Sequence, residues 1–209
     1  MLAHTEIHTH AEVLSIYQNI NRYFNYLMYV TLLVFILGIL TYGQSFSFRE
    51  HALSHFGRIH TQDGSPNTLS VFIYGTGMLI SSAICFKLSR LSEENISHNL
   101  LRITAVGYIL LITPCDVVNT IHSIGGALVI GSLWLLAVIE FHQLLNYTHR
   151  KRIYLYHLLL QGTMLPYAFL YAFGSSLCPM VQKFAFAGLM ISLKLMMLEE
   201  KKGVVGEGG

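Results

Sequence analysis

Six long runs of apolar residues, separated by short polar connections, set the pattern of this chain. The runs fall at about 24–43, 68–88, 100–114, 118–141, 153–175 and 180–198. A bilayer core of roughly 30 Å takes about 20 mostly apolar residues per spanning helix, and the third run, closed by Pro114, is the shortest of the six. None of them alternates apolar and polar residues as a barrel strand does, and only helices and closed barrels satisfy their backbone within lipid. The pattern predicts an all-α fold, a polytopic bundle of six transmembrane helices over residues 24–198.

Composition supports this class. Hydrophobic residues make up 53% of the chain and charged residues 11%, against about a quarter charged in soluble domains. Residues 1–23 carry Glu6, Glu12 and three histidines rather than the basic segment of a secretory leader, and no small-residue cleavage site follows. The first run is therefore expected to stay in the protein. Val13, Ile16, Tyr17 and Ile20 recur at helical spacing, which predicts a short amphipathic helix over 11–22 lying on the membrane surface. At the other end, residues 199–209 finish in Gly203–Gly209 with four glycines, and this tail is expected to be disordered.

Charge sets the orientation. Placing the N-terminus inside puts Arg22, Lys87, Arg90, Arg102, Arg150, Lys151, Arg152, Lys194, Lys201 and Lys202 on the inner side, and Arg49, Arg58 and Lys183 on the outer. Inner loops carry the excess of Lys and Arg, so both termini are expected to be cytoplasmic, with His149–Arg152 as the strongest local marker. The triplets Asn95-Ile96-Ser97 and Asn146-Tyr147-Thr148 then fall on the cytoplasmic side and read as chance matches to a glycosylation signal. A net charge of +2 with no basic stripe gives no reason to expect nucleic acid.

Chemistry gathers on the outer side. The loop at 44–67 is longer than a link requires, and loops of that length are often functional. It holds His51, Ser54, His55, His60, Asp63 and Asn67, with Gly64-Ser65-Pro66-Asn67 as a turn that starts the second run. Pro114-Cys115-Asp116 leads back into the membrane, followed by Asn119 and His122. Asp116 there reads either as an ordinary helix cap or as a functional carboxylate. His122 lies one turn inside the fourth run and needs a polar partner; Asp116, Ser54 and His55 are the nearest candidates.

The candidate outer pocket is thus His51, Ser54, His55, Asn67, Asp116, Asn119 and His122. It suits a lipid headgroup or a small polar ligand, and membrane lipid is the expected partner. A second reading makes His51, His55, Asp116 and His122 the ligands of a divalent metal in a membrane-embedded hydrolase, since His51 and His55 stand at i and i+4. The sequence holds no His-Glu-x-x-His, and no cofactor is otherwise implied. A small transporter is a third reading, weakened by the lack of an internal repeat or broken helix pairs. Haem is not supported: His122 and His142 are about 30 Å apart along one helix. His142 and Glu140 sit near His157 at the inner interface instead. Cys115 and Cys178 fall at outer helix ends, where a disulfide between them is open alongside two separate thiols; Cys85 reads as a small apolar filler.

Glycines at 75, 77, 125, 126, 131 and 188 are expected at helix contacts, where they let backbones approach. Ser54-His55-Phe56-Gly57, Pro66-Asn67, and Pro114-Cys115-Asp116 with His122 together resemble an uncharacterised family of six-helix integral membrane proteins of bacteria and archaea, a domain of unknown function. That family is distantly similar to the damage-regulated autophagy modulator superfamily. The resemblance covers about residues 25–198 and implies the fold, the outer site and a prokaryotic inner or cell membrane, but no reaction. Members usually carry Ser-Asp-Leu-Gly where this chain has Ser54-His55-Phe56-Gly57, which removes a carboxylate from the expected site.

Overall fold

The computed structural model describes residues 10–92, 94–147 and 151–206. Its six helices are α1 (His10–Thr41), α2 (Thr68–Leu91), α3 (Asn95–Leu111), α4 (Asn119–Tyr147), α5 (Lys151–Ala172) and α6 (Cys178–Gly206), with a short 3-10 helix at Leu53–Gly57 between α1 and α2. Among the described residues there is no strand. Four helices are long and apolar enough to cross a membrane, over Leu14–Thr41, Thr68–Leu91, Asn119–Leu145 and Cys178–Glu199. The other two fall short for physical reasons. The 17 residues of α3 give about 25 Å at 1.5 Å per residue, and α5 spends positions on Lys151, Arg152, His157 and Gln161 and carries Pro166.

Two expectations at the ends are corrected. Residues 11–22 are not a separate surface helix, because α1 runs unbroken from His10. The tail does not end the helix at 198: α6 continues to Gly206, the run Glu199-Glu200-Lys201-Lys202 being made of good helix formers. Residues 1–9 with Glu6, His149 and Arg150 of the basic marker, Thr148 of one triplet, and 207–209 lie outside the described residues.

Sequential helices pack side by side from α1 to α4, α6 lies on α4 and α5, and α1 has only sparse contact with α6. At the crossing of α3 and α4, two glycines face each other's backbone. A Cβ on Gly107 would stand 2.9 Å from the Gly125 carbonyl oxygen, and one on Gly125 would stand 2.8 Å from that of Gly107. Two glycines facing each other thus let the backbones meet, as small residues do between helices in lipid. The Thr104 and Ser132 hydroxyls join the same pair of helices at 2.6 Å. Gly125 therefore fulfils its expected role, whereas Gly131 does not: nothing lies within 4 Å of where its Cβ would be.

The long loop is folded down onto the helix ends. Phe56 is 1% exposed, with its ring 5.1 Å from Phe46, 5.8 Å from Tyr42 and 6.2 Å from Phe35, centroid to centroid. Gly38 makes the seat, since a Cβ there would come within 2.7 Å of the Phe56 ring. Removing a buried aromatic ring leaves a cavity and costs about 3–5 kcal/mol. Phe56→Ala is accordingly expected to lower unfolding stability in detergent by an amount in that range; a change below about 1 kcal/mol would mean the loop is not part of the core.

Candidate functional site

The loop's backbone groups are met from the neighbouring helices. Asn67, 1% exposed, stands just before α2 yet makes no capping bond to it. Its carboxamide turns into the loop instead. Oδ1 accepts the Gly43 N–H at 3.1 Å, and Nδ2 donates to the Arg58 carbonyl at 2.9 Å and, more weakly, to those of His55 and Phe56 at 3.4 Å. Ser70 of α2 adds a second bond to the Phe56 carbonyl at 3.1 Å. From α6, Gln182 accepts the Leu53 N–H at 3.0 Å. Lys183, 6% exposed, donates to the carbonyls of His51, Pro179 and Phe48 at 2.5, 2.8 and 2.9 Å. Lys183 was legible in the sequence only as one of three outer charges; its role as a buried clamp had no signal in spacing.

Asp116 is not a helix cap. Its two oxygens accept the N–H groups of Ile59 and His60, each at 3.0 Å, so the carboxylate ties the loop to the α3–α4 connection. Burial pushes its carboxyl up, and those N–H groups more than offset this, leaving it below the ordinary value. Beyond that tie the chain makes a tight reversal. Thr61 N–H bonds to the Ser65 carbonyl at 2.9 Å and Asn67 N–H to that of Ile59 at 2.9 Å, with Gly64 at φ +88° turning the tip. Asp63 stays at that tip, accepting from Thr61 and Ser65, apart from Asp116.

The histidines do different work from one another. Ser47 N–H donates to His51 Nδ1 at 3.0 Å, and the amide nitrogen of Gln44 lies 2.8 Å from His51 Nε2. His55 Nδ1 accepts the Ala52 N–H at 3.3 Å, so its proton is on Nε2, and that donor has no acceptor among the described residues. Burial, with Arg58, His51 and Lys183 adding positive charge, lowers the His55 pKa from 6.5 to about 4. His122 donates Nδ1–H to the Thr113 carbonyl at 2.7 Å and stacks on Tyr74 at 6.3 Å. Its partner is thus a backbone carbonyl, not Asp116, Ser54 or His55, because Asp116 is already engaged by the loop. Its buried Nε2 has no hydrogen-bond partner among the described residues. Asn119 is exposed and takes the Ser123 hydroxyl at 3.4 Å rather than joining His122.

The proposed metal set does not converge. His51 and His55 lie near one another, ring centroids 5.9 Å apart, but Asp116 and His122 belong to separate networks. Among the described residues no group of three or more His, Cys, Asp or Glu side chains is placed to hold a metal ion. The three cysteines are free thiols, so the Cys115–Cys178 bridge is not formed. Cys115 instead directs its thiol at the Ser54 carbonyl, 3.7 Å away. At the opposite end of the helices, His157 stacks on Phe141 at 3.9 Å, and Arg152 pairs with Glu199 at 3.6 Å.

Below the loop lies a cavity of about 1560 Å³, a feature with no sequence signature because its wall comes from every helix. Phe35, Met78, Val129, Met164 and Met190 are among its apolar lining. Ser54, His55, Arg58, Asp116, Asn119 and Gln182 line it at the loop end. It reaches Asn25 and Lys194, where Lys194 of α6 donates to Asn21 of α1. Tyr29 and Leu32 on α1, and Phe184 and Ile191 on α6, line it while remaining well exposed, so the cleft opens sideways between these two helices. No family model, curated protein or solved structure matches the chain.

Two outcomes follow from this network. Asn67→Ala removes the bonds to the Gly43 N–H and the Arg58 carbonyl and strands the buried Phe56 carbonyl, a buried group left unpaired costing roughly 1–3 kcal/mol; limited proteolysis should then cut within 42–67 at a rate well above wild type. Between pH 6.5 and about 4 an unfolded His55 binds a proton that the folded one refuses. That contribution to stability is fully present above pH 6.5 and is lost as pH falls toward 4. Melting temperature in detergent should drop across this window, and His55→Gln should flatten the drop; an equally steep curve for the variant would contradict the assignment.

Proposed function

We propose that this chain is an integral membrane protein that holds one membrane amphiphile in the cleft between α1 and the α4–α6 face, with the ligand's head beneath the ordered loop. The observation that carries this is the cavity itself. At about 1560 Å³ it exceeds the roughly 300–1,000 Å³ usual for small-molecule pockets, its wall is mainly aliphatic and aromatic, and its polar residues gather at the loop end. A site for a small polar ligand would not need so long an apolar wall. The sideways opening between α1 and α6 gives a route from the bilayer that does not require the loop to unfold.

The same proposal takes α3 and α5 as membrane-crossing, giving six spans with both termini cytoplasmic and the long loop outside. The split of ten inner against three outer basic residues, counted from the sequence, supports that orientation. The resemblance to the six-helix family agrees with this layout and supplies no activity. Reporter fusions after residues 60, 95, 148 and 205 should read out, in, in and in, and an outside signal at 148 would overturn the orientation.

The ligand reading is tested by filling the cleft. Gly131 lines it with open space beside it, so Gly131→Phe should place a ring in the ligand's volume without a backbone clash. Native mass spectrometry of the wild type released from detergent should show a discrete lipid-mass adduct, absent from Gly131→Phe at unchanged helix content. No adduct on the wild type, or the same adduct on both, would defeat the proposal.

A further inference from the structure

The charges on the cavity wall are unbalanced. At the loop end Arg58 and Lys183 line it, against the single carboxylate of Asp116. Asp116 already takes two backbone N–H groups, one on each oxygen. Lys183 has all three protons on carbonyls and, among the described residues, forms no ion pair. It therefore supplies positive charge in a buried place without a free donor, and a buried charge is costly until something of opposite sign approaches. Arg58 is the complement. Its Nε is spent on the His60 carbonyl at 3.0 Å, while the terminal nitrogens of its guanidinium have no acceptor among the described residues. Beside it, His55 offers the Nε2–H left over from its bond with Ala52.

We infer that the amphiphile carries an oxyanion head, held by the Arg58 guanidinium and the His55 Nε2–H in the field of the buried Lys183. This rests on the cleft being an amphiphile site, as proposed above. The donor set is fitted to such a head in three ways. The guanidinium fork matches two oxygens of a carboxylate or phosphate. His55 stays neutral, so it donates one hydrogen bond without adding charge. The acceptor that would compete for Arg58, Asp116, is occupied. A neutral head such as an alcohol would leave both cations unanswered, and a zwitterionic head would bring a cation of its own to a wall already rich in them.

The test compares probes that share their chains and differ in the head: dioleoyl phosphatidate and dioleoylglycerol, each titrated against the full-length protein in detergent, with inorganic phosphate as competitor. Phosphatidate should bind about tenfold more tightly or better, the scale of a charge-assisted hydrogen bond. Arg58→Gln should bring the two affinities close together while leaving dioleoylglycerol binding and melting temperature near wild type, and Arg58→Lys should retain part of the preference. Inorganic phosphate at millimolar concentration should not displace phosphatidate.

Equal affinities on the wild type, both reduced by Gly131→Phe, would overturn the oxyanion head and leave the cleft standing. Binding of neither lipid would remove the cleft reading and this inference with it. Displacement by inorganic phosphate, with dioleoylglycerol unbound, would mean a site for free anions and would also overturn it.

Discussion

The structure depends on where the backbone of one long loop finds its hydrogen bonds. Part of the segment 42–67 is buried against helix ends, where peptide groups cannot be left bare. The carboxamide of Asn67 carries the central part of that burden, reaching Gly43 on one side and Arg58, Phe56 and His55 on the other. A carboxamide alone among side chains of this size offers both a donor and an acceptor at one branch point, and this position uses both. With Asn67 holding the loop, Phe56 sits in the aromatic seat over Gly38, and Asp116 and the adjacent Gln182 and Lys183 close the circuit from two other places in the chain. The loop then forms a hydrogen-bonded roof on the cleft.

That roof separates two environments. Beneath it the wall is apolar and open sideways between α1 and α6; at its underside stand the few groups with unspent donors. The arrangement suits an amphiphile because it offers each part of such a molecule its own surroundings without asking the loop to move. It does not suit metal-assisted hydrolysis by the residues expected for it, since His51, His55, Asp116 and His122 are held in separate hydrogen-bonding circuits. Among the described residues, no three His, Cys, Asp or Glu side chains share a point. Fixing the loop and forming the roof are one process, so the stability of the loop and the shape of the site are linked through the same bonds.

Much of this fold was legible in the sequence because apolar runs leave a strong pattern. Six helices follow the six runs in order, four of them long and apolar enough to cross a membrane. The turn at Gly64-Ser65-Pro66-Asn67 falls where it was expected, while α1 and α6 extend past the expected ends. The residues of the loop region were legible as a group, because polar side chains are rare elsewhere in the chain. Their pairings were not. Asp116 before α4 looks like a cap, and only the fold brings Ile59 and His60, more than fifty residues earlier, to its oxygens. Asn67 looks like the start of a helix for the same reason. His122 sits at the right depth to need a partner, but backbone carbonyls carry no sequence signal, so Thr113 could not be foreseen. The cavity was invisible because Leu, Met and Phe line a cleft, fill a core and face lipid with equal ease; Gly131 reads like any other contact glycine until the space beside it is seen.

The most direct measurement of the central claim is an experimental structure of the protein in a lipid nanodisc. The account predicts elongated density between α1 and α6, running past Gly131 and ending beside Arg58 beneath a closed loop. A structure in which α1 is packed against α6 with the cleft filled by the protein's own side chains would contradict it.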